Sequence, residues 1–159
     1  MADRRHSRRS SRETHGLTAP GASARRLARG ASIEAEGDSD PVDRRAFDFS
    51  VAIVELANNL PSDLPDVVFN ALVEQGTKVG AEVFEAHYTS SRRARLSALT
   101  SARHAAQRVQ YWLQLVAAAT DGVSSESIDE LVRAARDLHK TLAVMCLKAR
   151  QGIEGAGDD

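Results

Sequence analysis

The chain of 159 residues is long enough for one domain of ordinary size and too short for two. Apolar residues make up 42% and charged residues 27%, but the only aromatic side chains are four Phe, two Tyr and one Trp, so a core must be built mainly from Ala, Leu and Val. A single cysteine excludes a disulfide framework and a Cys-rich zinc site, and makes a reducing cytoplasm the expected location. No apolar run approaches the roughly 18 residues of a membrane span, and no apolar stretch of a secretory signal follows the N-terminal arginines.

Charge is distributed very unevenly along the chain, although the formal net charge is only -1. Residues 1–30 contain eight arginines and two acidic residues, and residues 31–43 contain five acidic residues and no basic one. The remainder, residues 44–159, is close to balanced, with 13 basic and 15 acidic residues. The local blocks are therefore a better guide to binding partners than the total.

Residues 1–45 are predicted to form a disordered N-terminal tail that is first Arg-rich and then acidic. They contain few large aliphatic side chains and no aromatic one, so they cannot bury enough apolar surface to offset the roughly 1–2 kcal/mol per residue that backbone ordering costs. The pairs Arg4-Arg5 and Arg8-Arg9 are suited to non-specific phosphate contacts. Simpler explanations are a solubilising tail or a mis-assigned start codon, and an organellar transit peptide fits less well because the next block is acidic.

From residue 46 the apolar residues recur at helical spacings of three and four, which predicts four helices. The first stripe is Phe49, Ile53, Leu56 and Leu60; the second is Val68, Leu72, Gln75, Val79, Val83 and Ala86. The third stripe is Leu96, Leu99, Ala102, Ala106, Val109, Leu113 and Val116; the fourth is Ile128, Leu131, Ala135, Leu138, Leu142 and Met145. Asp66, and either Ser124 or Ser125, are expected to cap helix N-termini, and Gly122 to end the third helix.

Short connectors and the lack of period-two alternation make an all-α, antiparallel up-down four-helix bundle the predicted fold. The predicted bundle spans residues 46–150, and residues 151–159 are expected to fray. Gly76 and Gly80, four apart on the second helix, are expected to let another helix approach closely.

One block in the predicted bundle carries charge of a single sign. Between Ser90 and Thr120 there is no acidic residue but there are His104 and five arginines, namely Arg92, Arg93, Arg95, Arg103 and Arg108. Guanidinium groups present several coplanar donors to phosphate oxygens, so these five arginines are the candidate nucleic-acid-binding residues. The alternative is that carboxylates on neighbouring helices pair with them; the candidates are Glu55, Glu74, Glu82, Glu85 and Asp137.

Tyr111 and Trp112 are adjacent on the third helix, so they point about 100° apart and cannot both face the same stripe. One of them is expected to anchor the core and the other to contact a helix of another subunit. Stacking of a nucleobase on Tyr111 is a less favoured alternative.

Catalysis and metal binding find little support in the sequence. Glu82, Glu85 and His87 lie on one helix, but the paired Glu-x-x-His motifs of a di-iron bundle are absent. His104 and His139 lie on different helices, and neither has a partner at a spacing typical of metal ligands. Cys146 is predicted to be a small, buried apolar residue. We therefore predict no enzyme activity, no metal and no cofactor.

Three of the predicted helices carry motifs of a known family. They are Phe49, the run 51–56 and Leu60-Pro61 on the first, Val79-Gly80-Ala81 and Glu85-Ala86 on the second, and Tyr111-Trp112-Leu113 with Leu115 on the third. On these motifs, residues 47–148 resemble the bacterial four-helix-bundle proteins encoded by intervening sequences in large-subunit ribosomal RNA genes. That family also includes the accessory variability determinant of diversity-generating retroelements.

The resemblance implies a bundle that assembles as a ring, typically a homopentamer, with a basic surface or lumen. Retroelement members of the family look like nucleic-acid-binding partners of a reverse transcriptase. This chain departs from the family pattern in having Glu82 where Asn is usual, the bulky Phe84 beside it, and Arg108 where an acidic residue is common. The first two departures bear on ring geometry, and the third makes the third helix more basic.

Together these observations predict a non-enzymatic, oligomeric helical bundle that binds RNA or DNA backbones with little sequence preference. The alternative is a protein-interaction scaffold that leaves a large apolar patch on the monomer. Oligomerisation is expected because several apolar residues lie off the main stripes, namely Trp112, Leu115, Val132 and Leu147.

Overall fold

The structure, a computed structural model, describes residues 41–120 and 123–155. These residues form four α-helices: α1 (Pro41–Ala57), α2 (Asp66–Tyr88), α3 (Arg92–Ala119) and α4 (Ser125–Glu154). No β-strand occurs in the described ranges. The predicted all-α class is confirmed.

The helices pack as an up-down bundle. Each helix contacts the next one along the chain, and α1 also contacts α4 over a smaller extent. Cross-helix contacts set the direction of two of these pairs: Asp43 at the start of α1 meets His87 near the end of α2, and Arg92 at the start of α3 meets Gly152 near the end of α4. Successive helices are therefore antiparallel, as their short connectors require.

The predicted apolar stripes form the core. Nearly all their members are buried, including Phe49, Ile53, Leu72, Val79, Leu99, Val109, Leu113, Ile128, Leu138 and Leu142. Four stripe members, Leu60, Val68, Leu96 and Met145, are only partly buried and pack at the edge of the core. The small residues Ala98, Ala102, Ala105 and Ala106 of α3 are buried too, which brings the helix backbones close together.

The helix ends differ from the prediction at three places. Helix α1 begins at Pro41 rather than at residue 46, because proline suits the first helical position and Val42 and Ala46 bury their side chains in the core. It ends at Ala57, so Leu60 belongs to the connector. Helix α4 continues to Glu154 instead of fraying after residue 150. The expectations for the tail up to residue 40, for Gly122 and for residues 156–159 lie outside the described residues.

Serine side chains cap two of the helices. Ser91 Oγ accepts a hydrogen bond from the Ala94 amide at 3.2 Å, and Ser124 Oγ accepts one from the Ser127 amide at 3.4 Å. Each satisfies a main-chain donor that the first helical turn leaves without a partner. The prediction for Asp66 is wrong: the residue is already helical, and Pro65 precedes it without a side-chain cap.

Both glycines of α2 lie where another helix approaches. A Cβ on Gly76 would meet Ile53 Cγ2 of α1 at 2.5 Å, and a Cβ on Gly80 would meet Ser50 Oγ at 2.6 Å. Ser50 Oγ itself lies 3.0 Å from the carbonyl oxygens of Ala46 and Gly76 and so links the two helices. The predicted close packing is confirmed.

Candidate nucleic-acid interface

Among the described residues, the five candidate arginines of α3 have no carboxylate partner. None of them forms an ion pair with a residue of 41–120 or 123–155. Two acids proposed to neutralise them are engaged elsewhere: Glu82 accepts a hydrogen bond from Ser101 at 2.9 Å and lies 4.0 Å from Lys78, and Asp137 pairs with Lys140 at 3.6 Å. The neutralised alternative is thus not what the described part of the chain adopts.

Three of the arginines lie at one end of the bundle, in the first turn of α3. Arg93 and Arg95 are exposed there. Arg92 donates through Nη1 to the main-chain carbonyl of Gly152 at 2.9 Å. The last carbonyls of a helix lack intrahelical donors and carry partial negative charge, so Arg92 stabilises the end of α4 and is less available to an external ligand than Arg93 or Arg95.

Arg103 lies on the flank of α3 that packs against α4. His139 of α4 donates through Nδ1 to the Arg103 carbonyl oxygen at 3.2 Å, and Arg103 Nη2 lies 3.3 Å from His104 Nε2. The Arg103 Nε is buried and has no hydrogen-bond partner among the described residues. The stem of the side chain is therefore held in the groove between the helices while its terminal nitrogens reach the surface.

Arg108 lies on the other flank. It is exposed, and it follows Arg103 by five residues, which places it about 140° further round the helix. Ser101, seven residues earlier, occupies nearly the same angular position and contacts Glu82 of α2. The candidate arginines consequently cover both sides of α3 instead of forming one stripe.

Helix α4 contributes basic residues that the sequence analysis did not single out. Between residues 133 and 150 the only acidic residue is Asp137, and the basic ones are Arg133, Arg136, Lys140, Lys148 and Arg150, all exposed or nearly so. This excess of basic residues is present in the sequence. It is hidden when charges are counted over the whole helix, because Glu126, Asp129 and Glu130 of the first turns balance the basic residues further on.

The pairing of α3 with α4 places these residues beside the arginines of α3. Three contacts fix the antiparallel register: Arg92 with Gly152, Thr100 with Cys146, whose hydroxyl and thiol lie 3.8 Å apart, and Arg103 with His139. Continued along the helices, this register puts Arg108 level with Arg136 and Tyr111 level with Arg133. Arg136 also lies one turn from His139 on the same face of α4, so it borders the groove that Arg103 occupies.

Charge is segregated between the two halves of the bundle. Residues 41–88, which form α1, α2 and their connector, carry eight acidic and three basic residues, whereas α3 carries five basic residues and no acidic one. The surface that runs across the exposed side of α3, from the Arg108 flank to the Arg103 flank, and on to the middle of α4 (the α3/α4 basic face: Arg93, Arg103, Arg108, Arg133, Arg136 and Lys140) is therefore the part of the described surface that attracts a polyanion most strongly.

The adjacent aromatic residues of α3 separate, one towards the core, as predicted, and the other outwards; a contact of the outer one with another subunit stays a prediction. Trp112 is half-buried and packs against the core, and Tyr111 is 60% exposed. Their rings contact edge to face, with centroids 5.1 Å apart. Among the off-stripe apolar residues, Leu147 is exposed, but Val132 is buried within the monomer and so gives no support to an intersubunit contact.

Residues 41–120 and 123–155 contain no group of three or more His, Cys, Asp or Glu side chains placed to hold a metal ion. Cys146 is a free, buried thiol, as predicted. None of the four described helices combines the length and the apolarity needed to cross a bilayer.

No family model and no curated protein matches the chain. Among solved structures, it is similar to the crystal structure of a protein with unknown function from the S23 ribosomal protein family of Bacteroides thetaiotaomicron VPI-5482. The two chains are 25% identical with a TM-score of 0.60, and the match covers 66% of this chain and 97% of the other. The match extends over almost the whole of the other protein, and it supports the helical fold of this chain.

Proposed function

We propose that the chain is a non-enzymatic helical bundle that binds the phosphate backbone of RNA or DNA through its α3/α4 basic face. The observation that carries the proposal is the set of guanidinium groups on α3 that lack carboxylate partners in the described residues. An unpaired surface cation keeps its full attraction for a phosphate, because no internal ion pair must be broken when the ligand binds.

Binding of this kind has a characteristic salt dependence. Each phosphate that a Lys or Arg neutralises releases condensed counterions, so the logarithm of the affinity falls with the logarithm of the salt concentration by about 0.9 per contact for duplex DNA and about 0.7 for a single strand. The face contains no side-chain pattern that reads base edges in a duplex groove, so the affinity is expected to depend little on sequence.

The test is a fluorescence-anisotropy titration of a labelled, structured RNA with the 159-residue chain, begun at about 50 mM salt and repeated at higher concentrations. Arg108→Glu should weaken binding and lower the salt slope by at least about 1. Arg45→Glu is the matched control, because Arg45 is exposed as well but lies on α1 in the acidic half. Absence of binding at low salt, or an equal effect of the two variants, would reject the proposal.

Assembly and partners follow from the family resemblance of residues 47–148. We propose that the bundle forms a homo-oligomer, a pentamer in the family, and that it acts as an accessory factor to a reverse transcriptase in the cytoplasm. The similar solved protein carries the name of a ribosomal protein family, which agrees with RNA as a ligand. Light scattering at tens of micromolar and inspection of the neighbouring genes for a reverse transcriptase and template repeat test the two parts separately.

A protein-interaction scaffold is the second candidate function, and one observation favours it. Phe47 of α1 and Phe84 and Tyr88 of α2 are 56%, 62% and 70% exposed, and the contact between Asp43 and His87 places them at the same end of these helices. Phe84 and Tyr88 touch, with ring centroids 4.5 Å apart. A pull-down from the native host with and without nuclease separates the two functions, since partners bridged by nucleic acid are lost on digestion.

A further inference from the structure

Tyr111 differs from the other exposed aromatic residues in its electrostatic surroundings. Within the described ranges the exposed aromatic side chains are Phe47, Phe69, Phe84, Tyr88 and Tyr111. All except Tyr111 lie on α1 or α2, where acidic residues outnumber basic ones and a polyanion is repelled. Tyr111 alone lies on the helix that has no acidic residue.

The groups around Tyr111 on α3 are cationic or are neutral hydrogen-bonding amides, apart from the half-buried Leu115 one turn towards the C-terminus. Gln107, Arg108 and Gln114 lie one turn away on either side, and all three are exposed. His104 lies one turn further towards the N-terminus and is exposed as well. Several neighbours of this planar ring can therefore hydrogen-bond to a base edge or a phosphate.

Helix α4, on the Arg103 side of α3, contributes two further arginines near Tyr111. The register places Arg133 level with Tyr111, and Arg136 level with Arg108, one turn closer to the cluster at the start of α3. Asp129 lies one turn from Arg133 in the opposite direction. A phosphate chain that passes Tyr111 is therefore attracted by Arg108 on one side of the ring and by Arg136 on the side of α4, and it is repelled from the Asp129 end.

The ring of Tyr111 is also supported from one side. Its edge-to-face contact with Trp112, which packs against the core, restricts the side chain before any ligand arrives. A pre-oriented aromatic ring loses little conformational entropy on stacking, and a stacked base is worth about 1–3 kcal/mol by substitution in single-strand-binding proteins.

We propose that Tyr111 is a stacking site for an unpaired nucleobase, with the adjoining phosphates held by Arg108 and Arg136. The inference rests on the proposed function and narrows its ligand to single-stranded or looped RNA or DNA. A regular duplex keeps its bases stacked on one another, so it cannot offer a base to this ring.

The experiment compares three probes that carry the same number of phosphates: a single-stranded oligonucleotide with 2-aminopurine, an abasic strand of equal length, and a duplex. The 159-residue chain should bind the single strand about 5- to 150-fold more tightly than the abasic strand, which is the range that one stacked base provides. Binding should also quench the 2-aminopurine fluorescence, which reports stacking directly.

Three variants assign the effect to the ring. Tyr111→Phe should keep the preference for bases, since the ring remains, and Tyr111→Leu should bring the affinities for the single strand and the abasic strand together. Tyr88→Leu is the matched control, because it removes an exposed tyrosine from the acidic half of the bundle. It should leave the preference unchanged.

The outcomes separate this inference from the proposed function. Equal affinity of the unsubstituted chain for the single strand and the abasic strand would overturn stacking while backbone binding stands. No binding of any probe would reject both. If Tyr111→Leu instead dissociates an oligomer in light scattering and weakens all three probes equally, Tyr111 is an intersubunit contact and the inference is wrong.

Discussion

A methyl group on Gly76 would lie 2.5 Å from Cγ2 of Ile53, so α1 and α2 cross at a distance that only glycine allows at this position. Ile53 is fully buried and cannot move aside without opening the core. The contact determines how closely α1, the shortest of the four helices, sits against the rest of the bundle.

Gly76→Ala should therefore destabilise the fold, although alanine is the better helix former. Overpacking a close interface costs about 1–3 kcal/mol, and the gain in helix propensity offsets up to about 1 kcal/mol. Urea denaturation followed by circular dichroism measures the difference. Gly152→Ala is the control, because a Cβ there meets nothing within 4 Å, and it should leave stability unchanged or raise it slightly. Equal effects of the two substitutions would contradict the close crossing.

Ser91→Ala should weaken the start of α3. Loss of the hydrogen bond from the Ala94 amide leaves that donor to water and typically costs about 0.5–2 kcal/mol. The neighbouring Ser90 is exposed and lies outside the helix, so Ser90→Ala serves as the control. Thermal unfolding should separate the two variants, and a Ser90→Ala effect as large as that of Ser91→Ala would show that the cap is not the cause.

Arg136→Glu tests whether the polyanion surface extends onto α4. Because Arg136 lies at the height of Arg108 and borders the groove between α3 and α4, its reversal should lower the affinity for a structured RNA to a similar degree as Arg108→Glu. Anisotropy titrations at two salt concentrations give both the affinity and the salt slope. An Arg136→Glu variant that behaves like Arg45→Glu would confine the binding surface to α3.

Cys146 should react slowly with an aromatic disulfide reagent in the native protein. Its side chain is 6% exposed, and its Sγ lies 3.8 Å from the Thr100 hydroxyl in the groove between α3 and α4. Labelling then requires these helices to separate, so its rate should rise steeply with urea. Leu147→Cys in a Cys146→Ala background places the thiol at an exposed neighbour and should react at once. Rapid labelling of native Cys146 would mean that this groove opens readily.

The fold follows from the sequence because each helix carries an uninterrupted apolar stripe, and short connectors leave few ways to bring four such stripes together. The stripe through Leu99, Val109 and Leu113 gives α3 correctly over its whole length. The start of α1 was harder to predict from the sequence. Pro41 and Val42 adjoin an acidic, Ser- and Gly-containing stretch, and Val42 is buried only because α1 packs against the other helices.

The candidate site was predicted less completely. The sequence identifies the arginines of α3, but a charge count carries no angular information, so it does not show that Arg103 and Arg108 lie on opposite flanks of the exposed side of α3, about 140° apart. The contribution of α4 depends on a register set by three contacts between helices, such as His139 with the Arg103 carbonyl. Such long-range pairing cannot be read from the period of either helix alone.

The separation of acidic and basic halves also has a kinetic consequence. The opposite charges on the two sides of the described bundle give it a dipole moment with a component perpendicular to the helix axes. Near a polyelectrolyte, within a Debye length of about 8 Å at physiological ionic strength, that dipole turns the molecule before contact. Encounters should then be productive in one orientation, and added salt should slow association by removing this alignment.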